Sequence, residues 1–210
     1  MSGRNRAFMQ LERMTFFSDA VFAIAITLLV IEIKVPHVET SDGLARALLG
    51  LVPNYVGFIV SFFVIGRFWI GHHRAMGQLV ALDSRLVWLN LLLLFTIAFM
   101  PFPTAVFSDY TITRAAVALY CGWLMLAGLA NVLLIGHGLK SAALLDPEAD
   151  PAVTAALLRG RWLPLLIGVL ALGLGMWRPL YALIPLLGSP LIQWGLRRLF
   201  NRAGSATPAG

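Results

Sequence analysis

The side chains able to do chemistry in this chain are few, and they sit at the edges of long apolar runs. Ser18 and Asp19 are adjacent, and so are His72 and His73. A serine, a carboxylate and an imidazole invite comparison with an acyl-transfer site, which needs a nucleophile bonded to a base that is itself held by an orienting group. Ser18 and Asp19 are neighbours on one helix and cannot form that sequence of contacts, and no Gly-x-Ser-x-Gly turn surrounds Ser18. The sequence is therefore read as a non-enzyme. Consecutive helical residues point about 100° apart, so His72 and His73 make a poor pair of ligands for one metal. The single cysteine, Cys121, lies inside an apolar run and supports neither a disulfide framework nor a thiolate metal site. Two tasks remain for these groups: bonding one another across helices, or helping an ion or proton through a membrane.

The elements that must position them are membrane helices. Of the 210 residues, 59% are hydrophobic and 12% charged, and the mean hydropathy is +0.82. A soluble domain is nearer half apolar and a quarter charged. The sequence predicts an all-α membrane protein, a single domain over 1–210 with six spans at about 16–35, 44–69, 86–106, 112–139, 162–177 and 179–199, the third broken by the prolines of MPFP at Met100–Pro103. The polar stretch before the third span, whose first turn is expected to continue the second helix, the acidic and proline-bearing segment SAALLDPEADPAVT, and both ends of the chain are read as connections or tails. Spans five and six, separated only around Arg178, are expected to form a tight hairpin. The first span is too long for the apolar core of a signal peptide and lacks a small-residue cleavage site, so it is read as retained.

The net charge of +6 does not mark a nucleic-acid binder, because the basic residues are scattered between apolar runs and do not form one stripe. They sort by side of the membrane. With six spans, Arg4, Arg6, Arg13, Arg67, Arg74, Arg85, Lys140, Arg159, Arg161, Arg197, Arg198 and Arg202 share one side, against Lys34, Arg46, Arg114 and Arg178 on the other. The positive-inside rule then puts both termini in the cytoplasm. Lipid is the expected surroundings of the chain, and Trp69, Trp162, Trp177, Tyr181 and Trp194 read as interfacial anchors.

The first span, RMTFFSDAVFAIAITLLVIEIKVP from Arg13 to Pro36, is unusual in mixing spanning length with Arg13, Ser18, Asp19 and Thr27. An ionised Asp at the centre of a lone membrane helix costs about 2.5–3.5 kcal/mol, so Asp19 is expected near an interface or beside a partner. Phe17, Ala20, Val21, Ile24, Leu28 and Ile31 recur at spacings of three and four and share one helical face, with Thr27 at its border. That stripe fits ordinary helix packing or the lining of an ion path. One imidazole of His72 and His73 is expected to hydrogen-bond Ser18 or Asp19 across helices. Asn90 and Asn131 are expected to join helices. A proton-coupled transporter or proton pathway through Asp19 and the two histidines is the alternative, although no inverted repeat and no glycine-interrupted helix pair accompanies it.

The motif Arg13-x-x-x-Phe17-Ser18-Asp19 entering an apolar helix resembles the signature of the bacterial relatives of the lysosomal potassium channel, transmembrane protein 175. The likeness continues through FWIGHHR at Phe68–Arg74 and LNLLLLFTIAFMPFPT at Leu89–Thr104. The resemblance implies a homotetramer in the bacterial cytoplasmic membrane, with the first helix of each subunit lining a pore for K+ and other monovalent cations. No TVGYG carbonyl filter occurs in the sequence. Instead, the resemblance implies a hydrophobic constriction at Ile24, extended by Leu28 and Ile31, with Thr27 as a pore-facing hydroxyl and K+ passing near Ile24 and Thr27. Arg13, Phe17, Ser18, Asp19, Trp69, His72 and His73 would be the network that packs the helices behind it. No cofactor and no nucleic acid are implied.

Overall fold

The computed structural model describes residues 3–38 and 41–188, and every regular element among them is helical. The first helix, α1, runs Gly3–Leu28 and tightens into a 3-10 turn at Leu29–Glu32. It begins well before the expected Phe16, so the segment read as a tail is helix. α2 (Ser41–Gly50) leads into α3 (Val52–Met76), the break falling at Leu51 with Pro53 in the first turn of α3. The expected second span at 44–69 is thus two helices. α3 also continues through both histidines, so the segment read as a polar connection is helical as far as Met76, and Arg67 lies within a helix.

The expected third span becomes α4 (Ser84–Ala98) and α5 (Pro101–Asp109), divided by the prolines of MPFP. Pro101 and Pro103 have no N–H to give the preceding turn. The chain compensates with shorter bonds: Met100 N–H donates to Ile97 O and Phe102 N–H to Phe99 O, each at 3.1 Å. The Thr96 carbonyl beside the break accepts the Trp123 indole N–H from the facing helix at 2.8 Å. Irregular backbone is tolerated at membrane depth where protein groups meet its needs in this way.

α6 (Arg114–Lys140) is the central post, packed against α4, α5 and α8. α7 (Pro151–Gly160) begins inside the segment read as a long connection, capped by Asp150, whose carboxylate accepts the Ala152 N–H at 2.7 Å. α8 (Leu163–Trp177) then lies along α6, and the chain turns at Arg178 into Pro179–Gly188. The remainder of the expected sixth span lies outside the described residues. Among the described residues, five stretches are long and apolar enough to cross a membrane: Ala7–Glu32, Val52–Met76, Ser84–Asp109, Arg114–Lys140 and Pro151–Trp177.

Membrane helices gain nothing from hiding hydrophobic surface from lipid, so close backbone approach must hold them together. α6 and α8 achieve it with glycine. A Cβ on Gly128 would stand 2.8 Å from Leu165 N and 2.9 Å from its Cα, and one on Gly168 would meet Met125 Cγ at 2.8 Å. A second junction forms at one end of the bundle. Leu79 and Leu145 pair as an isolated bridge, Val80 N–H donates to Leu144 O at 2.9 Å, and Asp146 N–H donates to Gln78 O at 2.8 Å. The α3–α4 and α6–α7 connections therefore share one end. There Asp83 caps α4 by accepting the Leu86 N–H, and it faces His137 Nε2 of α6 at 2.9 Å. The Leu86 N–H above all, then the hydrogen bond and charge of His137 and the charge of Arg85, hold the Asp83 carboxyl below its ordinary range against a smaller opposing effect of desolvation.

Two outcomes follow from this packing. Gly128→Ala sets a methyl against rigid backbone of α8, and overpacking of this kind costs about 1–3 kcal/mol; a lower unfolding temperature in detergent is the expected readout. Because the folded Asp83 has the lowered pKa, its contribution is present above the unfolded carboxylate value of about 3.9 and fades as pH falls through the folded one. Asp83→Asn should therefore lower stability at neutral pH and flatten its decline below about pH 4, measured by thermal unfolding across that range.

Candidate functional site

α1 has two faces with different surroundings. Ser18, Phe22, Ala25 and Leu29, spaced by three and four, are all at most 1% exposed against α3 and α4. On the other side, Ile24 is 57% exposed, Leu28 39% and Ile31 59%, and Phe17, Ala20 and Thr27 are also exposed. The chain's own packing thus leaves uncovered most of the stripe marked out in the sequence, Val21 being the exception, half-buried against the core. Thr27 Oγ donates to Ile24 O at 2.9 Å. With its proton turned into the helix, the hydroxyl oxygen keeps lone pairs free to meet a cation. At the 3-10 end, Leu28 and Ile31 border a cavity of about 270 Å³ together with Glu32, Phe99 and Phe102.

The buried face is tied by a polar relay. Asn90 on α4 donates from Nδ2 to Ser18 Oγ at 2.9 Å, and Ser18 Oγ donates to Met14 O at 2.8 Å within its own helix. Asn90 Oδ1 lies 2.8 Å from His72 Nε2 on α3. An amide oxygen can only accept, so the contact assigns the proton to Nε2. His72 is fully buried, its ring centroid 5.5 Å from that of Phe22, while its Nδ1 is enclosed without a partner. One amide therefore joins three helices.

Beside the relay, Trp69 Nε1 donates to Asp19 Oδ1 at 2.8 Å, and the His73 ring lies 5.6 Å from the Trp69 ring. The imidazole expected to bond Ser18 or Asp19 directly does neither. His72 reaches Ser18 through Asn90, and Asp19 is taken by an indole. Arg13 and Phe17 are exposed and are not drawn into the relay. Asn131 is buried and donates from Nδ2 to the Arg161 carbonyl at 3.2 Å. Among the described residues, no group of three His, Cys, Asp or Glu side chains could hold a metal ion.

Sequence reasoning missed a second buried cluster. Thr104 Oγ lies 2.8 Å from Ser61 Oγ, and Ser61 Oγ lies 3.0 Å from the hydroxyl of the fully buried Tyr120. It binds α3, α5 and α6 at the level of the proline break, and Thr104 also lies 2.8 Å from Met100 O. The available signal was a hydroxyl inside each apolar run, with Thr104 directly following a proline.

Fold and site together define a multi-pass, all-helical membrane protein whose first helix is anchored on one face and bare on the other. A family model described as the endosomal/lysosomal potassium channel TMEM175 matches residues 13–101, starting at Arg13. A protein of Streptomyces collinus named as a potassium channel is 40% identical over 152 residues, 70% of this chain and 74% of that one. The crystal structure of a lysosomal potassium-selective channel TMEM175 homolog from Chamaesiphon minutus superposes with a TM-score of 0.76 at 30% identity, covering 90% of this chain and 98% of that one. The human endosomal/lysosomal proton channel TMEM175 is 23% identical over 149 residues, which is 70% of this chain and 30% of that protein. The chain belongs to the TMEM175 family.

Removing the shared amide should be costly. Asn90→Leu leaves the His72 Nε2–H without its acceptor, and an unsatisfied buried group costs about 1–3 kcal/mol. A lower unfolding temperature in detergent is expected for Asn90→Leu, with a smaller drop for Ser18→Ala, whose neighbour Asn90 keeps His72.

Proposed function

We propose that this chain forms a potassium-preferring cation channel in which α1 from each of four copies lines a central pore. The observation that carries the reading is the division of α1: one face tied down by Asn90, the other apolar, exposed and carrying one hydroxyl. Its family membership, and relatives named as potassium channels, support it.

In this arrangement Ile24 forms the narrow constriction, with Leu28 and Ile31 as further apolar rings toward the 3-10 turn. A narrow ring of aliphatic side chains dewets, so conduction requires the four helices to rotate or spread. A cation passing Ile24 sheds water with few replacement ligands, and K+ is favoured over Na+ because its dehydration costs less. Thr27, its oxygen turned outward, supplies a weak ligand next to the constriction. Ser18, Asp19, Trp69 and His72 set the angle of the pore helix from behind; Arg13, Phe17 and His73 lie at the same end of α1 and α3. The sixth span completes the bundle, and both termini face the cytoplasm of a bacterial cell.

Purified protein reconstituted into planar bilayers should carry a K+ current whose reversal potential shifts as Na+ replaces K+. Absence of cation current over a wide range of voltage and pH would overturn the reading, and a current carried by protons alone would favour the proton pathway. Ile24→Asn places a hydrogen-bonding group in the constriction and should lower the K+ over Na+ permeability ratio severalfold. An unchanged ratio removes Ile24 from the selectivity-determining position.

A further inference from the structure

Arg161 lies where α7 ends and α8 begins, and its guanidinium reaches along α6 to Gly136, one turn before the helix ends at Lys140. Its backbone is pinned on both sides: the N–H donates to Leu157 O at 2.9 Å, and the carbonyl accepts Asn131 Nδ2 at 3.2 Å. The guanidinium therefore starts from a fixed point. It is seated against α6, where a Cβ on Gly136 would fall 2.5 Å from Nη1 and 3.2 Å from Cζ, so a side chain at that position would push it aside. Its Cζ lies 5.6 Å from the centroid of the Trp162 ring.

This seat does not satisfy the charge. Nε and Nη1 are sealed from solvent and have no hydrogen-bond partner, which leaves Nη2 as the accessible edge. A surface arginine on a flexible stem would turn all three nitrogens to water, and a buried one is ordinarily paired with a carboxylate. Arg161 has neither arrangement. It is a cation partly stripped of water and backed by an aromatic ring. Lys140, which ends α6, lies at the same end of the bundle and adds positive charge there. The open Nη2 of a cation can donate a charge-assisted hydrogen bond to a phosphate oxygen, and basic pockets between helices on the cytoplasmic side take anionic headgroups.

We propose that Arg161, seated on Gly136 and flanked by Trp162, binds the phosphate of an anionic phospholipid headgroup. The ligand chemistry is a phosphate group presented at the membrane surface, and the lipid's acyl chains would lie along the exposed apolar side chains Leu166, Val169 and Leu170 of α8. This site is separate from the α1 face, and its failure would leave the channel reading untouched.

Native mass spectrometry of delipidated protein, titrated with phosphatidylglycerol, phosphatidylcholine or inorganic phosphate, tests it. The unaltered chain should retain phosphatidylglycerol over phosphatidylcholine, and Arg161→Gln should weaken that retention roughly tenfold, the loss expected for one charge-assisted contact. Gly136→Ala, which keeps the charge but displaces the guanidinium from its seat, should weaken it by less. Displacement of the lipid by inorganic phosphate at equal concentration would support the phosphate chemistry and assign the source to free phosphate. Equal retention of the two lipids by the unaltered chain overturns the proposal whatever the variants do, as does unchanged phosphatidylglycerol retention in a folded Arg161→Gln.

Discussion

The arrangement of this bundle depends on one side-chain amide whose two ends cannot exchange roles. Asn90 offers a donor to Ser18 on α1 and an acceptor to His72 on α3. Both partners are fully buried, where water cannot substitute for a lost bond. Individual polar contacts between membrane helices average only about 0.6 kcal/mol in double-mutant cycles. Their directionality does what dispersion cannot: it selects one rotation of α1 about its own axis. Any other rotation would carry Ser18 away from the amide and bury a different set of side chains.

That rotation has a consequence on the far side of the helix. With Ser18, Phe22, Ala25 and Leu29 turned inward, the 3.6-residue period turns Ile24, Leu28 and Ile31 outward. The face is not bare because the core lacks room for it. It is bare because the buried relay lies on the opposite side. Asp19, one residue on from Ser18, falls at the edge of the buried face, within reach of the Trp69 indole. The motif residues that look most reactive are thus engaged in orientation, and the least reactive side chains occupy the surface left for other contacts.

The proline break between α4 and α5 serves the same geometry. A straight helix over the whole of Ser84–Asp109 would keep all its backbone bonds but could not offer its carbonyls sideways. The loss of two N–H groups is met by shorter backbone bonds near the break, while the nearby Thr96 carbonyl takes the Trp123 indole. The Ser61–Thr104–Tyr120 cluster then fastens α3, α5 and α6 at that level, and the 3-10 turn that ends α1 packs against both α3 and α5. At the opposite end, the Asp83–His137 contact and the short pairing of the two connections hold α4 and α6 in register.

By itself, the sequence determined that this is a helical membrane protein, which stretches could span, and which residues of α1 share a face. Length, apolar content and a 3.6-residue period are properties of the chain alone, and proline marked the division at MPFP because a missing N–H is local chemistry. Helix ends were less legible. α1 and α3 run beyond their apolar cores, and α7 begins in a segment that composition marked as loop, since a capping aspartate and a following proline suffice to start a helix there. What only the tertiary structure decided is partnership. The sequence offered Ser18, Asp19, Asn90, Trp69 and two histidines without saying who meets whom. Ser18 reaches His72 only through Asn90, 72 residues away along the chain, because a hydrogen bond needs both ends within about 3 Å and the right direction. Those distances exist only once three helices have been set side by side.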